Sequence, residues 1–81
     1  MCLPCSALRV GPYRIFIYSG DRDEPPHVHV EREGNVAKFW LDPIRLETSG
    51  GFSRNELRRI GQHVLENRDA LLRGWNEFFG S

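Results

Sequence analysis

Two histidines separated by a single residue are the first candidates for chemistry in this sequence. They stand in the run DEPPHVHVER, residues 23–32, as His27 and His29. Alternate residues of a strand point to the same side, so we expect both imidazoles on one face of a sheet. A histidine that titrates near neutral pH can act as a general acid or base, and two aligned imidazoles are also half of a zinc site.

Three uses of this pair remain open from the residues alone. In a small ribonuclease, His27 and His29 would be acid and base, with Asp42 as a further catalytic candidate. In a metal site, the missing ligands would come from Asp42, Glu31 or the C-x-x-C motif of residues 2–5. In the third use, both histidines are polar residues of an ordinary strand. Two histidines fall short of the three or four ligands that zinc needs, and no nucleophile stands out. We therefore expect a non-catalytic protein without a resident cofactor or metal.

The residues around the histidines predict a β-hairpin. Two alternating runs, PHVHVERE and VAKFWLD, flank Gly34-Asn35, which is typical of a two-residue hairpin loop. A loop at these residues sets three pairs across the hairpin: Glu31 with Lys38, His29 with Trp40, and His27 with Asp42. The apolar face would then carry Val28, Val30, Ala37, Phe39 and Leu41, and the three pairs would share the opposite face.

The remaining segments predict a single α+β domain, residues 10–81, after a loose N-terminal arm, residues 1–9. Residues 13–19 and 44–47 have the composition of strands. Ser53 and Glu56 form an S-x-x-E capping box, and an apolar stripe at helical spacing continues from there to Phe79. The predicted fold is a small antiparallel sheet of three to four strands, in the order β-β-β-β-α, packed on one long C-terminal helix.

One helix covers one sheet face, so the other face is predicted to be a working surface or an oligomer interface. Its members, with those of the preceding strand, are Arg14, Phe16, Tyr18, His27, His29, Glu31, Lys38 and Trp40. Bulky residues near the end of the helix are further interface candidates, namely Trp75, Phe78 and Phe79. Arg68 lies within the apolar stripe, and we expect it to pair with a carboxylate such as Asp42 or Glu47.

Composition limits the class of protein. The chain has 81 residues, which is one small domain, and its 11 basic and 11 acidic residues give a net charge of zero. Proteins that depend on phosphate contacts usually carry a basic excess, so general nucleic-acid binding is disfavoured. No apolar run reaches the roughly 18 residues of a membrane span, and no secretory signal is recognisable, so we expect a cytoplasmic protein. Small domains are marginally stable alone, which favours a homo-oligomer.

Several distinctive runs resemble a known family. The pieces YSGD with EPPHVHVE, AKFWLDP, FSRNEL, ENRDALL and W-x-E-F-F are together similar to the bacterial domain-of-unknown-function family 4160 (DUF4160), over about residues 8–79. The resemblance implies a short bacterial protein that is often encoded beside another small protein, as in toxin–antitoxin pairs, or carried by mobile DNA. On that analogy the residues that matter most are His27, His29, Glu31, Lys38, Trp40, Asp42 and Arg68.

The prediction from these observations is a self-associating protein-interaction module. It would bind a small protein partner through the sheet face that carries the histidines. A small ribonuclease-type toxin that uses His27 and His29, and a metal-binding protein that uses the same pair, are the alternatives.

Overall fold

The computed structural model describes residues 7–17 and 23–79 of the chain. These residues form the strands and helices β1 (Ala7–Val10), β2 (Tyr13–Phe16), β3 (His27–Arg32), β4 (Asn35–Leu41), β5 (Ile44–Thr48), α1 (Arg54–Glu66) and α2 (Arg68–Phe79). The strands make one antiparallel sheet in the order β1-β2-β3-β4-β5, so each pairs with its neighbour along the chain. The α+β class is confirmed, with one strand more than the three to four that were predicted.

The additional strand is β1, which was predicted to lie mostly in a loose arm. It pairs with β2 across a tight reversal at Gly11, whose φ is 57°. Residues 7–9 therefore belong to the sheet. Residues 1–6, with Cys2 and Cys5, lie outside the described residues. So does Tyr18, one of the predicted interface residues, which follows the end of β2.

The loop between β3 and β4 lies at Glu33-Gly34, one residue earlier than predicted. Both residues have positive φ, 52° and 86°, as a type I′ turn requires. The pairing partner of every β3 residue consequently moves by two positions, which places Arg32 opposite Asn35 and Glu31 opposite Val36. Because side chains alternate across a strand with a period of two, this shift leaves each residue on its predicted face.

The turn before α1 packs closely on the start of β4. A Cβ on Gly50, whose φ is 62°, would lie 1.7 Å from the carbonyl oxygen of Val36. A Cβ on Gly51 would lie 2.8 Å from Oδ1 of Asn35. The chain can approach the start of β4 this closely only because both residues lack a side chain. The Gly50-Gly51 turn therefore packs directly on Asn35 and Val36 at the start of β4.

The apolar face of the sheet packs against α1 and forms the core. Its fully buried members from the strands are Ile15, Val28, Val30, Ala37 and Leu41. From α1, Ile60 and Val64 are fully buried among them. Leu65 of α1 is 55% exposed, in contrast. Its place on α1, one residue beyond Val64, turns it about 100° away from the core.

The first turn of α1 is tied to the sheet by a polar cluster. Ser53 caps the helix and accepts a hydrogen bond from the backbone N–H of Glu56 at 3.2 Å. The carboxylate of Glu56 does not complete the capping box. Its Oε2 accepts bonds from the hydroxyl of Tyr13 at 3.1 Å and from Arg32 at 2.8 Å. The bond to Glu56, and a smaller contribution from Tyr13, raise the pKa of Arg32.

The long helix that was predicted is interrupted at Asn67. This residue caps the C-terminus of α1, and its side-chain amide donates to the carbonyl oxygen of His63 at 2.9 Å. An asparagine amide competes with the backbone for such carbonyls, which ends the regular helix. The resulting helices have 13 and 12 residues. Within the described ranges, neither has the length and apolar character needed to cross a membrane.

Candidate functional site

His27 is fully buried at the start of β3, which corrects its predicted place on an open face. It lies opposite Trp40 and not opposite Asp42. The indoles of Trp40 and Trp75 approach its ring at centroid distances of 5.5 and 5.1 Å. Its Nδ1 is 2.9 Å from the carbonyl oxygen of Pro25. Since a carbonyl oxygen only accepts, Nδ1 carries the proton in this contact.

His29 is half-buried and lies opposite Lys38, where Trp40 was expected. Its ring stacks on Phe16 of β2 with centroids 5.5 Å apart and an interplanar angle of 28°. The two imidazoles are neighbours, as their spacing predicted, with centroids 5.2 Å apart and an edge-to-face angle of 85°. Phe16 is itself buried, so this part of the face is closed over by its own side chains.

The charged residues of this face are neutralised by partners other than those predicted. Glu31 was expected to pair with Lys38 and instead accepts a 2.6 Å bond from Arg14, its register partner on β2. Lys38 pairs with Glu24 at 2.6 Å, and its ammonium lies 4.7 Å from the centroid of the Trp40 ring. Both ion pairs are only partly exposed. The face is therefore a set of satisfied polar and aromatic contacts within the chain.

A shallow pocket of about 310 Å³ adjoins Trp40. It is lined by Pro25, Trp40, Asp42, Pro43, Arg45 and Glu47. The indole N–H of Trp40 donates to Oε1 of Glu47 at 3.0 Å, which fixes the ring at the pocket wall. The lining carries charges of both signs, so the pocket has no clear preference for a charged ligand.

Arg68 pairs with Asp42, one of the two carboxylates predicted for it. Nη2 of Arg68 lies 3.0 Å from Oδ1 of Asp42, and Nε donates to the carbonyl oxygen of Leu41 at 2.9 Å. The guanidinium thus joins the start of α2 to the end of β4. Asp42 is engaged in this attachment and lies away from the imidazole that it was predicted to face.

The aromatic residues at the end of α2 pack against other residues of the same chain. Trp75 is buried, and the centroids of its ring and the Phe79 ring are 4.4 Å apart. Phe78 and Phe79 are partly buried against the hydrophobic core. These residues close one end of the core, and their part in an interface stays a prediction.

Metal ligands are sparse in the part of the chain that is described. No group of three or more His, Cys, Asp or Glu side chains there could hold a metal ion. His27 and His29 are the adjacent pair, and the cysteines that would complete a four-ligand set lie outside the described residues. The metal and acid–base hypotheses for this pair stay predictions.

A second candidate surface, which the sequence analysis missed, lies between β5 and α1. It is a groove of about 570 Å³ lined by Phe39, Leu46, Ser49, Phe52, Arg54, Leu57 and Arg58. Leu46 on the edge strand is 41% exposed, so apolar surface reaches solvent here. The sequence signal was present in the i, i+4 pair of arginines beside Leu57, but only the packing of α1 on the sheet places Leu46 next to them.

The comparison with known families covers most of these elements. The model of the domain of unknown function DUF4160 matches residues 13–76. The chain belongs to the DUF4160 family. The matched segment of this DUF4160 chain runs from β2 into α2 and includes both the histidine pair and the groove beside α1. No curated protein and no solved structure matches the chain.

Proposed function

We propose that this chain is a protein-interaction module whose binding surface is the groove between β5 and α1. One observation carries the proposal: Leu46 is 41% exposed within a groove that Phe39, Phe52 and Leu57 also line. A groove with a mostly apolar lining is a usual form of site for a peptide segment of a partner protein.

The position of α1 on the sheet supports the same surface. α1 contacts β2 through the bond between Glu56 and Tyr13, and Gly61 lies against the ring of Phe39 on β4. α1 also packs on the edge strand β5 and leaves Leu46 partly exposed beside it. The groove is therefore bounded by the edge of the sheet on one side and by α1 on the other.

The histidine face supports this function less well. His27 and Phe16 are buried, and its charged residues already have partners within the chain. Binding there would have to break those contacts first. Self-association through that face stays a prediction, to be tested by sedimentation. A place in a toxin–antitoxin-like pair or on a mobile element stays an implication of the family resemblance.

The experiment is a selection of displayed peptides on the purified chain, followed by affinity measurements with two matched variants. Leu46→Glu introduces a charge in the groove. Leu65→Glu makes the same change at an exposed leucine that does not line the groove. We expect the selected peptides to lose about tenfold or more in affinity for Leu46→Glu and to bind Leu65→Glu as they bind the parent. Circular dichroism checks that both variants fold.

Two results would overturn the proposal. One is a selection that enriches no peptide, or only peptides that bind Leu46→Glu as tightly as the parent. The other is a parent chain that forms a dimer which Leu46→Glu dissociates. The occupant of the groove would then be a second copy of the chain and not a partner protein.

A further inference from the structure

Two arginines on α1 line the groove without a carboxylate partner. Arg54 and Arg58 are exposed, and neither forms an ion pair with any residue that the structure describes. Arg14, Arg32 and Arg68 behave differently, since each bonds to a carboxylate on another strand, a helix or a strand end. None of the described residues lining the groove is acidic. The groove is therefore apolar at its base and positive along the side formed by α1.

The position of these arginines is unfavourable for the helix that carries them. Arg54 is the first residue of α1 and Arg58 lies one turn later. The positive end of a helix dipole is at the N-terminus, so cations there are destabilising. Like charges four residues apart on a helix also repel each other. An anionic ligand beside both side chains would remove both penalties at once.

We infer that the groove binds an acidic amphipathic helix of a partner protein. This inference rests on the proposed function and adds the chemistry of the partner. The apolar side chains of that helix contact Leu46, Phe52 and Leu57. Carboxylates spaced one turn apart on its flank meet Arg54 and Arg58, since a guanidinium binds a carboxylate through two parallel hydrogen bonds.

The test uses two synthetic helical peptides with the same apolar residues at i, i+3, i+4 and i+7. One carries glutamates on the flanks of the apolar stripe, and the other carries lysines at the same positions. Binding to the full chain is followed by fluorescence anisotropy at low and high salt. We expect the glutamate peptide to bind about tenfold or more tightly than the lysine peptide at low salt. We also expect that preference to shrink as salt screens the charges.

Variants of the arginines separate a specific contact from general attraction. Arg54→Glu with Arg58→Glu should reverse the preference between the two peptides. Arg59→Glu changes the charge of an exposed residue of the same helix that does not line the groove, and it should leave the preference in place. Arg54→Gln with Arg58→Gln, a milder change, should abolish the preference without reversing it if the reversal variant fails to fold.

The outcomes distinguish this inference from the proposed function. If both peptides bind equally and the arginine variants change nothing, the acidic partner is wrong while the groove remains a binding site. If neither designed peptide binds, the composition of the display-selected peptides decides, and a lack of acidic residues among them overturns the inference. A single-stranded oligonucleotide that binds more tightly than the glutamate peptide, and equally well to Leu46→Glu, would also overturn it.

Discussion

The ring centroids of Trp75 on α2 and His27 at the start of β3 are 5.1 Å apart. This contact closes the end of the sheet face that the sequence predicted to be open. It also makes His27 part of the core, in a position where both its packing and its bond to Pro25 contribute to stability.

Replacement of His27 by alanine should destabilise the protein markedly. The change leaves a cavity between Trp40 and Trp75 and removes the bond to the Pro25 carbonyl, for an expected loss of about 2–3 kcal/mol in the free energy of unfolding. His63 is half-buried against Tyr13, so His63→Ala should lose less than about 1 kcal/mol. Urea denaturation measures both. Equal stability of His27→Ala and the parent would show that His27 is not a core residue.

Arg68 connects α2 to the end of β4, and we expect replacement of Arg68 to lower the free energy of unfolding more than replacement of its partner Asp42. Arg68→Met removes the ion pair to Asp42 and the bond to the Leu41 carbonyl, and it should cost about 1–2 kcal/mol of unfolding free energy. Asp42→Asn leaves the carbonyl bond intact. The Asp42 side chain is also 69% exposed, so this change should cost about 0.5 kcal/mol or less. The difference between parent and Asp42→Asn should decrease at high salt. A larger loss for Asp42→Asn than for Arg68→Met would contradict the geometry.

Two glycines with similar backbone angles provide a matched pair. Gly11 and Gly50 have φ values of 57° and 62°, but a Cβ on Gly11 meets nothing within 4 Å, whereas one on Gly50 collides with the Val36 carbonyl. Gly11→Ala should therefore lower the free energy of unfolding by only about 1 kcal/mol, because alanine has to adopt a left-handed conformation. Gly50→Ala should cost about 3 kcal/mol or prevent folding, because the backbone of β4 has to move. Thermal melts of the two variants compare them, and similar melting temperatures would refute the close packing of Gly50 on Val36.

Metal removal should leave the fold unchanged. Among residues 7–17 and 23–79 no cluster could hold a metal ion, so prolonged dialysis against a chelator should not lower the melting temperature. The variant Cys2→Ser with Cys5→Ser is the control. A melting temperature that falls on chelation in the parent, but not in this variant, would support a site shared by the cysteines and the histidine pair.

In the hairpin of β3 and β4, the alternation of polar and apolar residues determines the faces of the strands but not the position of the loop. Alternation of polar and apolar residues in PHVHVERE and VAKFWLD was enough to separate the two faces of the sheet. It could not locate the loop, because Gly34-Asn35 and Glu33-Gly34 give the same faces. Locally, asparagine accepts a positive φ more readily than glutamate. A type I′ turn, however, favours glycine at its second loop position, and Glu33-Gly34 provides it there.

The sequence by itself determined the α+β class, the two-residue hairpin loop, the side of the sheet on which each β3 and β4 residue lies, and the Ser53 cap of α1. All of these depend on neighbours within a few residues, where backbone preferences and alternation act directly. Tertiary structure alone decided the burial of His27 and the groove beside Leu46. Each depends on contacts between segments far apart in the chain, which arise only when the helices pack on the sheet.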